Sequence, residues 1–221
     1  MATPRILIVD DERNIRLTLK GALEAIGLEV DAVFQGEEAL QKLSAGRYDV
    51  MLLDLRLPGM DGLAVLRQVV ARFPQTRVII ITAYGTVEAV LEAMQLGAVD
   101  FLQKPFEPIE VREIVGRALA RPEGGPVALS YDEYLGLAQK NIAQKKFSSA
   151  FVYAHKAVLV DPHRPEAFNI LGGLYENRDQ RKEALTNYQV ALKIDPAYAP
   201  AQENLQRLTA KPYDRSGIVW G

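Results

Sequence analysis

ILIVDD at residues 6–11 is the first of four short apolar runs that end in polar residues; the others are VMLLDL at 50–55, VIIIT at 78–82 and FLQKP at 101–105. The runs are rich in Ile, Val and Leu and do not alternate with polar residues, which indicates strands buried on both faces of a parallel sheet. In open parallel sheets, ligand sites form at the carboxyl ends of the strands. The polar residues at these ends are Asp10, Asp11, Asp54, Thr82 and Lys104.

The pattern of strand followed by amphipathic helix repeats five times between residue 5 and about residue 120. Helical spacing is clear in Ile15–Ile26, where apolar residues recur every three or four positions. Right-handed crossovers between parallel strands then place helices on both faces of the sheet. The strands are predicted near residues 5–10, 29–34, 49–54, 77–82 and 99–102.

Length and composition restrict the number of domains and the classes of partner that the chain can have. The 221 residues leave room for two domains. With 26 basic and 28 acidic residues the net charge is −2, so nucleic acid is not an expected partner. The absence of cysteine excludes disulfides and thiolate metal sites and fits a reducing compartment. No apolar stretch approaches the roughly 20 residues that span a bilayer, so we expect no membrane insertion and a cytoplasmic protein.

The second half of the chain is predicted to be helical and repetitive. RPEGGP at 121–126 ends the preceding helix and indicates a linker, placed at residues 121–130. Pro162 and Pro196, each preceded by Asp, lie 34 residues apart, which is the tetratricopeptide (TPR) period. The repeats are predicted at 131–164 and 165–198, with a capping helix at about 198–209. The residues of the second repeat that match the tetratricopeptide pattern are Phe168, Leu171, Gly172, Tyr175, Ala184, Tyr188, Ala191 and Pro196.

Four motifs carry a family resemblance in the first half. They are DDE at 10–12, DLRLPGMDG at 54–62, TAYG at 82–85 and KPF at 104–106. Together they resemble the receiver domain of two-component response regulators, nearest to the nitrogen-regulation type. The resemblance covers about half of the chain and places that domain at residues 1–120. It implies a flavodoxin-like α/β fold with a five-stranded parallel sheet in the order 2-1-3-4-5, followed here by an all-α TPR domain at 131–210.

The resemblance also implies a phosphorylation site. Converging carboxylates repel one another unless a hard cation lies among them, and oxygen ligands suit Mg²⁺ or Mn²⁺. By resemblance, Asp11, Asp54 and the backbone carbonyl of Arg56 bind this metal, and Asp10 acts through water. Asp54 is the expected nucleophile and phosphoryl acceptor. Lys104 and Thr82 are expected to stabilise the transferring phosphoryl group.

The resemblance further implies a switch. Phosphorylation draws Thr82 toward Asp54, and Phe101 moves inward, although Phe101 can also be read as an ordinary half-buried aromatic. Arg56 and Tyr84 are expected to tune the lifetime of the phosphoryl group, and the Lys104–Pro105 bond is expected to be cis. The surface of helices 85–96 and 108–120 is open to two roles, a homodimer contact or a clasp on the repeats.

The output predicted from the second half is protein binding. Residues 121–221 show no helix-turn-helix with a basic recognition helix and no Walker-type glycine loop. Tetratricopeptide arrays bind peptides or proteins in a concave groove. For residues 211–221, which include Ile218, Val219 and Trp220, docking onto the repeats, docking onto another protein and disorder are all open. The predicted groove residues are Leu135, Gln139, Asn169, Gly173 and Asn177.

The leading hypothesis is therefore a response regulator whose Asp54 is phosphorylated by a sensor histidine kinase, and whose repeats then change their availability to a partner protein. It is not expected to be an enzyme with a separate substrate. One alternative is a structural scaffold or dimerisation protein with a silent receiver. Another is a phosphoaspartyl phosphatase of the haloacid-dehalogenase kind, which requires Asp-x-Asp after the first strand, where this chain has Asp10-Asp11-Glu12.

Overall fold

The computed structural model describes residues 3–83, 87–120, 129–210, 213 and 216–221, with the side chains of residues 87 and 88 left out. Two compact units divide the chain, Met1–Val127 and Ala128–Gly221. Each unit is described by itself below. Tyr84, Gly85 and most of the predicted linker lie outside the described residues.

The first unit is a parallel sheet with helices between its strands. The sheet has five strands in the order β2-β1-β3-β4-β5, which confirms the predicted fold class. The register pairs Val9 with Leu53, Asp54 with Ile81 and Thr82 with Gln103, so the carboxyl ends of the strands lie at one edge. In chain order, the elements are β1 Arg5–Val9, α1 Arg13–Glu24, β2 Glu29–Val33, α2 Gly36–Ala45, β3 Val50–Asp54, α3 Gly62–Arg72, β4 Arg77–Thr82, α4 Val87–Gln95, β5 Asp100–Gln103 and α5 Pro108–Leu119.

The central strands are buried on both faces, which explains their unbroken apolar runs. In β3, Val50 and Leu52 pack into a cluster with α1 and α5, whereas Met51 and Leu53 are equally buried but lie outside that cluster. This two-residue alternation is the geometry of a pleated strand. The edge strand β2 is only partly buried, and its EVDAV sequence is correspondingly more polar.

The second unit consists of helices that recur at a fixed interval. Its helices are α6 Tyr131–Ala143, α7 Phe147–Val160, α8 Pro165–Asn177, α9 Arg181–Ile194 and α10 Ala199–Thr209. Helices α6, α8 and α10 begin 34 residues apart, and so do α7 and α9. The turns repeat as well, because the left-handed residues Lys145 (φ 59°) and Asp179 (φ 60°) have the same separation. The helices therefore fit the arrangement of a helical repeat.

Close packing between α8 and α9 depends on a glycine. A Cβ atom on Gly172 would lie 2.6 Å from Cδ1 of Tyr188, a distance that real Cβ atoms do not adopt. The Tyr188 ring cannot move away easily, because it is fully buried and its hydroxyl donates a 2.9 Å hydrogen bond to Oε2 of Glu176. Gly172 thus sets the distance between these two helices.

Glu176 is a fully buried carboxylate at the centre of the second unit. Burial alone raises the pKa of Glu176, but hydrogen bonds from Arg207, Tyr213 and Tyr188 outweigh it, so the pKa lies below the ordinary value. The Tyr213 hydroxyl donates to Oε1 at 2.7 Å, and Nη2 of Arg207 donates to Oε2 at 2.7 Å. The carboxylate links α8 to α9, to α10 and to Tyr213 of the C-terminal segment (residues 211–221).

We expect Gly172→Ala to lower the free energy of unfolding by about 1–3 kcal/mol, because the added methyl group overpacks a buried aromatic contact. Gly136→Ala in α6 is the matched control. Nothing lies within 4 Å of the Cβ position of Gly136, so alanine should be neutral or raise stability by up to about 1 kcal/mol. Urea unfolding followed by circular dichroism measures both. Equal effects of the two substitutions would contradict this account of the α8–α9 contact.

Candidate functional site

Three of the predicted site residues meet at the carboxyl edge of the sheet. Asp10 follows β1, Asp54 ends β3 and Lys104 follows β5. The Lys104 ammonium nitrogen lies 2.7 Å from Oδ2 of Asp10 and 2.7 Å from Oδ2 of Asp54. It also lies 2.9 Å from Oε1 of Glu12. Asp10, Asp54 and Lys104 are all buried, whereas Glu12 is exposed, so the ammonium is shared by two buried carboxylates and one that faces solvent.

Backbone hydrogen bonds fix the two buried carboxylates in tight local turns. Oδ1 of Asp10 accepts from the backbone N–H of Glu12 at 2.8 Å, and Oδ1 of Asp54 accepts from the N–H of Arg56 at 2.9 Å. These are the turns that Asp makes with the backbone two residues further on. In both cases the second oxygen, Oδ2, is left to face Lys104.

A glycine lets the loop after β3 close over the strand. A Cβ atom on Gly62 would lie 2.5 Å from the carbonyl oxygen of Asp54 and 2.5 Å from Cα of Leu55. Backbone atoms cannot give way as a flexible side chain can, so this position requires glycine. Gly59 in the same loop has φ 78°, a left-handed conformation that glycine adopts without strain. The PGMDG sequence therefore shapes the wall of the site beside Asp54.

The protonation equilibria of the site follow from burial and from the shared ammonium. Burial raises the pKa of Asp10 to about 6, and the nearby Lys104 ammonium only partly opposes this. Burial lowers the pKa of Lys104, but the hydrogen bonds with Asp10, Asp54 and Glu12 outweigh it and raise that pKa above the ordinary value. The lysine is thus held in its charged form.

The donor set fits a hard divalent cation. Asp10, Glu12 and Asp54 each offer an oxygen, and these atoms lie within 4.8 Å of one another. Among the described residues, Oδ2 of Asp10 has an ion pair with Lys104 but no aligned hydrogen-bond partner, although it is fully buried. A buried oxygen of this kind is suited to metal ligation. The cluster is consistent with a Mg²⁺ site.

The acidic cluster and the predicted ligand set share Asp10 and Asp54 but are not identical. Glu12 belongs to the acidic cluster but was not among the predicted ligands. Asp11, which was predicted to bind the metal directly, is exposed and lies outside this cluster, and its role as a ligand stays a prediction. The backbone carbonyl of Asp11 accepts a 2.8 Å hydrogen bond from Nη1 of Arg16. The DDE sequence itself was the available signal for Glu12, because it places a third acid directly after the strand.

The comparisons with known proteins agree with this geometry. Residues 6–116, half of the chain, match the response regulator receiver domain family. The chain belongs to this family. Sporulation initiation phosphotransferase F of Bacillus subtilis is 37% identical over 119 residues, covering 54% of this chain and 96% of that protein. The DNA-binding transcriptional regulator NtrC of Escherichia coli K12 is 43% identical over 115 residues, covering 52% of this chain.

Solved structures show the same receiver fold. The receiver domain of NtrX from Brucella abortus has a TM-score of 0.51 and 34% identity, and the match covers 53% of this chain and 99% of that one. A receiver domain protein from Methanospirillum hungatei has a TM-score of 0.52 and 30% identity, covering 53% of this chain and 94% of that one. The chain spans only 24% of the length of Escherichia coli NtrC.

The remaining predicted residues of the receiver lie around the acidic cluster. Thr82 is buried at the end of β4, and its carbonyl accepts a 2.8 Å hydrogen bond from the N–H of Lys104. Phe101 is buried in β5, with 4% of its surface exposed, so its ring is already inward in this structure. Arg56 is exposed. The Lys104–Pro105 bond is cis, as predicted.

In the second unit, three of the five predicted groove residues contact the C-terminal segment. Nε2 of Gln139 donates to the carbonyl of Gly221 at 2.9 Å, and Nδ2 of Asn169 donates to the carbonyl of Val219 at 3.0 Å. A Cβ on Gly173 would meet the ring of Trp220 at 2.7 Å. Leu135 and Asn177 are partly buried on the same two helices, α6 and α8. Of the three possibilities open for residues 211–221, the structure shows docking onto the helices for the residues that it describes, which are Tyr213 and residues 216–221.

We expect Lys104→Met to destabilise the receiver by about 3–5 kcal/mol, since it leaves buried carboxylates without their cation. Added Mg²⁺ should recover part of the loss, because a divalent cation can take over the neutralisation. Lys20→Met is the control: its ammonium pairs with Glu24 at 3.6 Å on the exposed surface of α1, and its loss should cost no more than about 0.5 kcal/mol. Thermal unfolding with and without Mg²⁺ tests this, and a Lys104→Met variant as stable as Lys20→Met would refute it.

Proposed function

We propose that this protein is a two-component response regulator that is phosphorylated on Asp54 with Mg²⁺ by a sensor histidine kinase. The observation that carries the proposal is the convergence of Asp10, Asp54 and Lys104 at one edge of a receiver sheet. Asp10, Asp11 and Asp54, with the carbonyl of Arg56, would hold the metal. When bound, Mg²⁺ would supply positive charge for the oxygens of the incoming phosphoryl group.

The side chains of the site have distinct tasks in phosphoryl transfer. An oxygen of the Asp54 carboxylate attacks phosphorus, the P–N bond of the kinase phosphohistidine breaks, and the imidazole leaves with that electron pair. Lys104 is already 2.7 Å from Asp54, where its charge can compensate that of the transferring group. Thr82 would donate its hydroxyl to a phosphoryl oxygen. Hydrolysis of the aspartyl phosphate returns the carboxylate, so the protein turns over no separate substrate.

The second unit is proposed to be a tetratricopeptide module that binds a partner protein. The 34-residue spacing of the helix starts and the glycine-dependent contact between α8 and α9 support this assignment. Phosphorylation adds about −1.5 to −2 charges and three acceptor oxygens beside Thr82. The proposal is that this change alters the availability of the module to its partner. No helix among the described residues is long and apolar enough to cross a membrane.

The first test is phosphoryl transfer from acetyl phosphate. Wild-type protein with Mg²⁺ should incorporate one phosphoryl group, and Asp54→Asn or removal of Mg²⁺ with EDTA should abolish incorporation. Asp61→Asn is the matched control, because Asp61 lies in the same loop but is exposed and makes no side-chain capping bond to α3. Labelling of the Asp54→Asn variant at the wild-type level would show that another residue accepts the group.

The second test separates a working switch from a silent receiver that serves only as a scaffold or dimerisation domain. Beryllofluoride with Mg²⁺ mimics the aspartyl phosphate, and it should shift the amide resonances around Thr82 and Phe101 and change the amount of partner recovered in a pull-down. Asp54→Asn should remove both effects. An unchanged spectrum would favour the scaffold, whereas steady hydrolysis of an added phosphate ester would favour the phosphatase.

A further inference from the structure

Hydrogen bonds to the main chain hold residues 216–221 against helices α8 and α10 of the second unit. Asn204 binds Val219 on both sides: its Nδ2 donates to the Val219 carbonyl at 2.7 Å, and its Oδ1 accepts from the Val219 N–H at 2.9 Å. Asn169 donates to the carbonyls of Val219 at 3.0 Å and Trp220 at 3.2 Å. This pairing resembles the recognition of an added extended strand, in which hydrogen bonds are made to the backbone of the peptide. These bonds do not depend on the side chain at position 219.

Asn169 and Asn204 are oriented to form hydrogen bonds with a peptide backbone. Both are fully buried with residues 216–221 in place, and Nδ2 of Asn204 donates to Oδ1 of Asn169 at 2.9 Å. That bond fixes the orientation of both amides, so that their remaining donors point at the bound backbone. A buried amide without a partner costs about 1–3 kcal/mol. The pair therefore requires either a peptide or water above it.

Side-chain selectivity comes from the residues on either side of Val219. A Cβ on Gly173 would lie 2.8 Å from Cγ2 of Ile218 and 2.7 Å from Cζ3 of Trp220, so both side chains pack directly against this glycine. The ring of Phe147 stacks on Trp220 with a centroid distance of 6.4 Å and an interplanar angle of 20°. The surface thus accepts a branched aliphatic residue and, two positions later, an aromatic one.

Residues 216–221 lie on the helices without forming part of their core. Ile218, Val219 and Trp220 are only partly buried, whereas Ala138, Ala184 and Tyr188 pack the helices with no exposed surface. Upstream, Tyr213 is anchored to Glu176 by a 2.7 Å hydrogen bond. A short tether of this kind gives the segment an effective concentration in the millimolar range. Only a ligand of higher affinity or concentration can displace it.

We propose that the surface formed by Gln139, Phe147, Asn169, Gly173 and Asn204 is a binding site for an extended peptide of the pattern Ile-x-Trp, and that residues 216–221 occupy it as an internal competitor. The partner is then a protein that presents a branched aliphatic residue and an aromatic residue two positions later in an extended segment. This inference rests on the proposed function only in taking the helical unit as the partner-binding module. It adds the chemistry of the ligand and a reason for the site to be closed at rest.

The test uses a labelled peptide with the sequence of residues 216–221, SGIVWG, and a variant of the full chain that lacks those residues. Fluorescence anisotropy should show saturable binding of the peptide to the shortened protein. Binding to the full chain, where residues 216–221 occupy the site, should be at least about tenfold weaker. In the shortened protein, Asn169→Leu and Asn204→Leu should remove binding. Asn187→Leu is the control, because among the described residues the Asn187 side chain donates to the carbonyl of Glu183 in its own helix and forms no hydrogen bond with residues 216–221. A peptide with alanine in place of the tryptophan should not bind.

A second variant covers the case in which the shortened protein fails to fold. Full-length Trp220→Ala contains no tryptophan, so the fluorescence of the peptide tryptophan alone reports binding. Loss of helical circular dichroism in both variants would make the segment a structural element and overturn the proposal. So would equal affinity for the full chain and the shortened protein, absence of binding to a helical shortened protein, or a dimer that Trp220→Ala converts to monomer.

The outcome is independent of the receiver. Asp54→Asn in the shortened protein should bind the peptide as well as its parent does, because the peptide site lies within the second unit. Failure of phosphorylation with intact peptide binding would count against the proposed function alone. Failure of peptide binding with intact phosphorylation would count against this inference alone.

Discussion

The receiver depends on one electrostatic constraint, which is that buried carboxylates at the edge of a parallel sheet need a cation. Asp10 and Asp54 come together because β1 and β3 are neighbours in the sheet, and their turns direct one oxygen of each toward Lys104. The effective cost of burying an unpaired ion is several kcal/mol. The pocket therefore exists only with a positive charge in it. Any ligand that enters must rearrange that charge, which gives the pocket its sensitivity to a phosphoryl group.

The sequence predicted the sheet well because its signal is local and strong. Each predicted strand agrees with the structure to within about one residue at its ends. The signal is strongest for β1, β3 and β4, whose non-alternating apolar runs are typical of strands buried on both faces. The site was harder to predict at the level of single side chains. Asp10 and Asp11 both follow the end of β1, and two adjacent residues of the same type do not show which side chain packs against Lys104. The structure places Asp10 there, whereas Glu12 reaches Lys104 from the start of α1.

In the helical half as well, features that recur along the sequence could be predicted, whereas single side-chain contacts could not. The 34-residue repeat could be recognised from Asp-Pro pairs, small residues and aromatics. Helices α6, α8 and α10 begin within one residue of the predicted starts of the two repeats and the capping helix. The contact of Asn204 with Val219 could not be predicted from the sequence, because Asn204 forms hydrogen bonds with backbone atoms that every residue possesses. The sequence therefore could not decide whether residues 211–221 dock onto the repeats, dock onto another protein or are disordered. Main-chain recognition is invisible in a sequence unless the recognising side chain is part of a known motif.

Buried polar groups in this protein fall into two kinds, and the difference explains which of them can switch. Glu176 receives its hydrogen bonds from Tyr188, Arg207 and Tyr213, so it holds the second unit together through partners fixed on the fold. Asp54 and Asn169 instead face partners that can be exchanged, an ammonium on a flexible stem and the backbone of a terminal segment. Exchange costs far less than loss, since a new ligand replaces the hydrogen bonds that it displaces. Sites of this second kind can change occupant while the helices and strands around them stay folded.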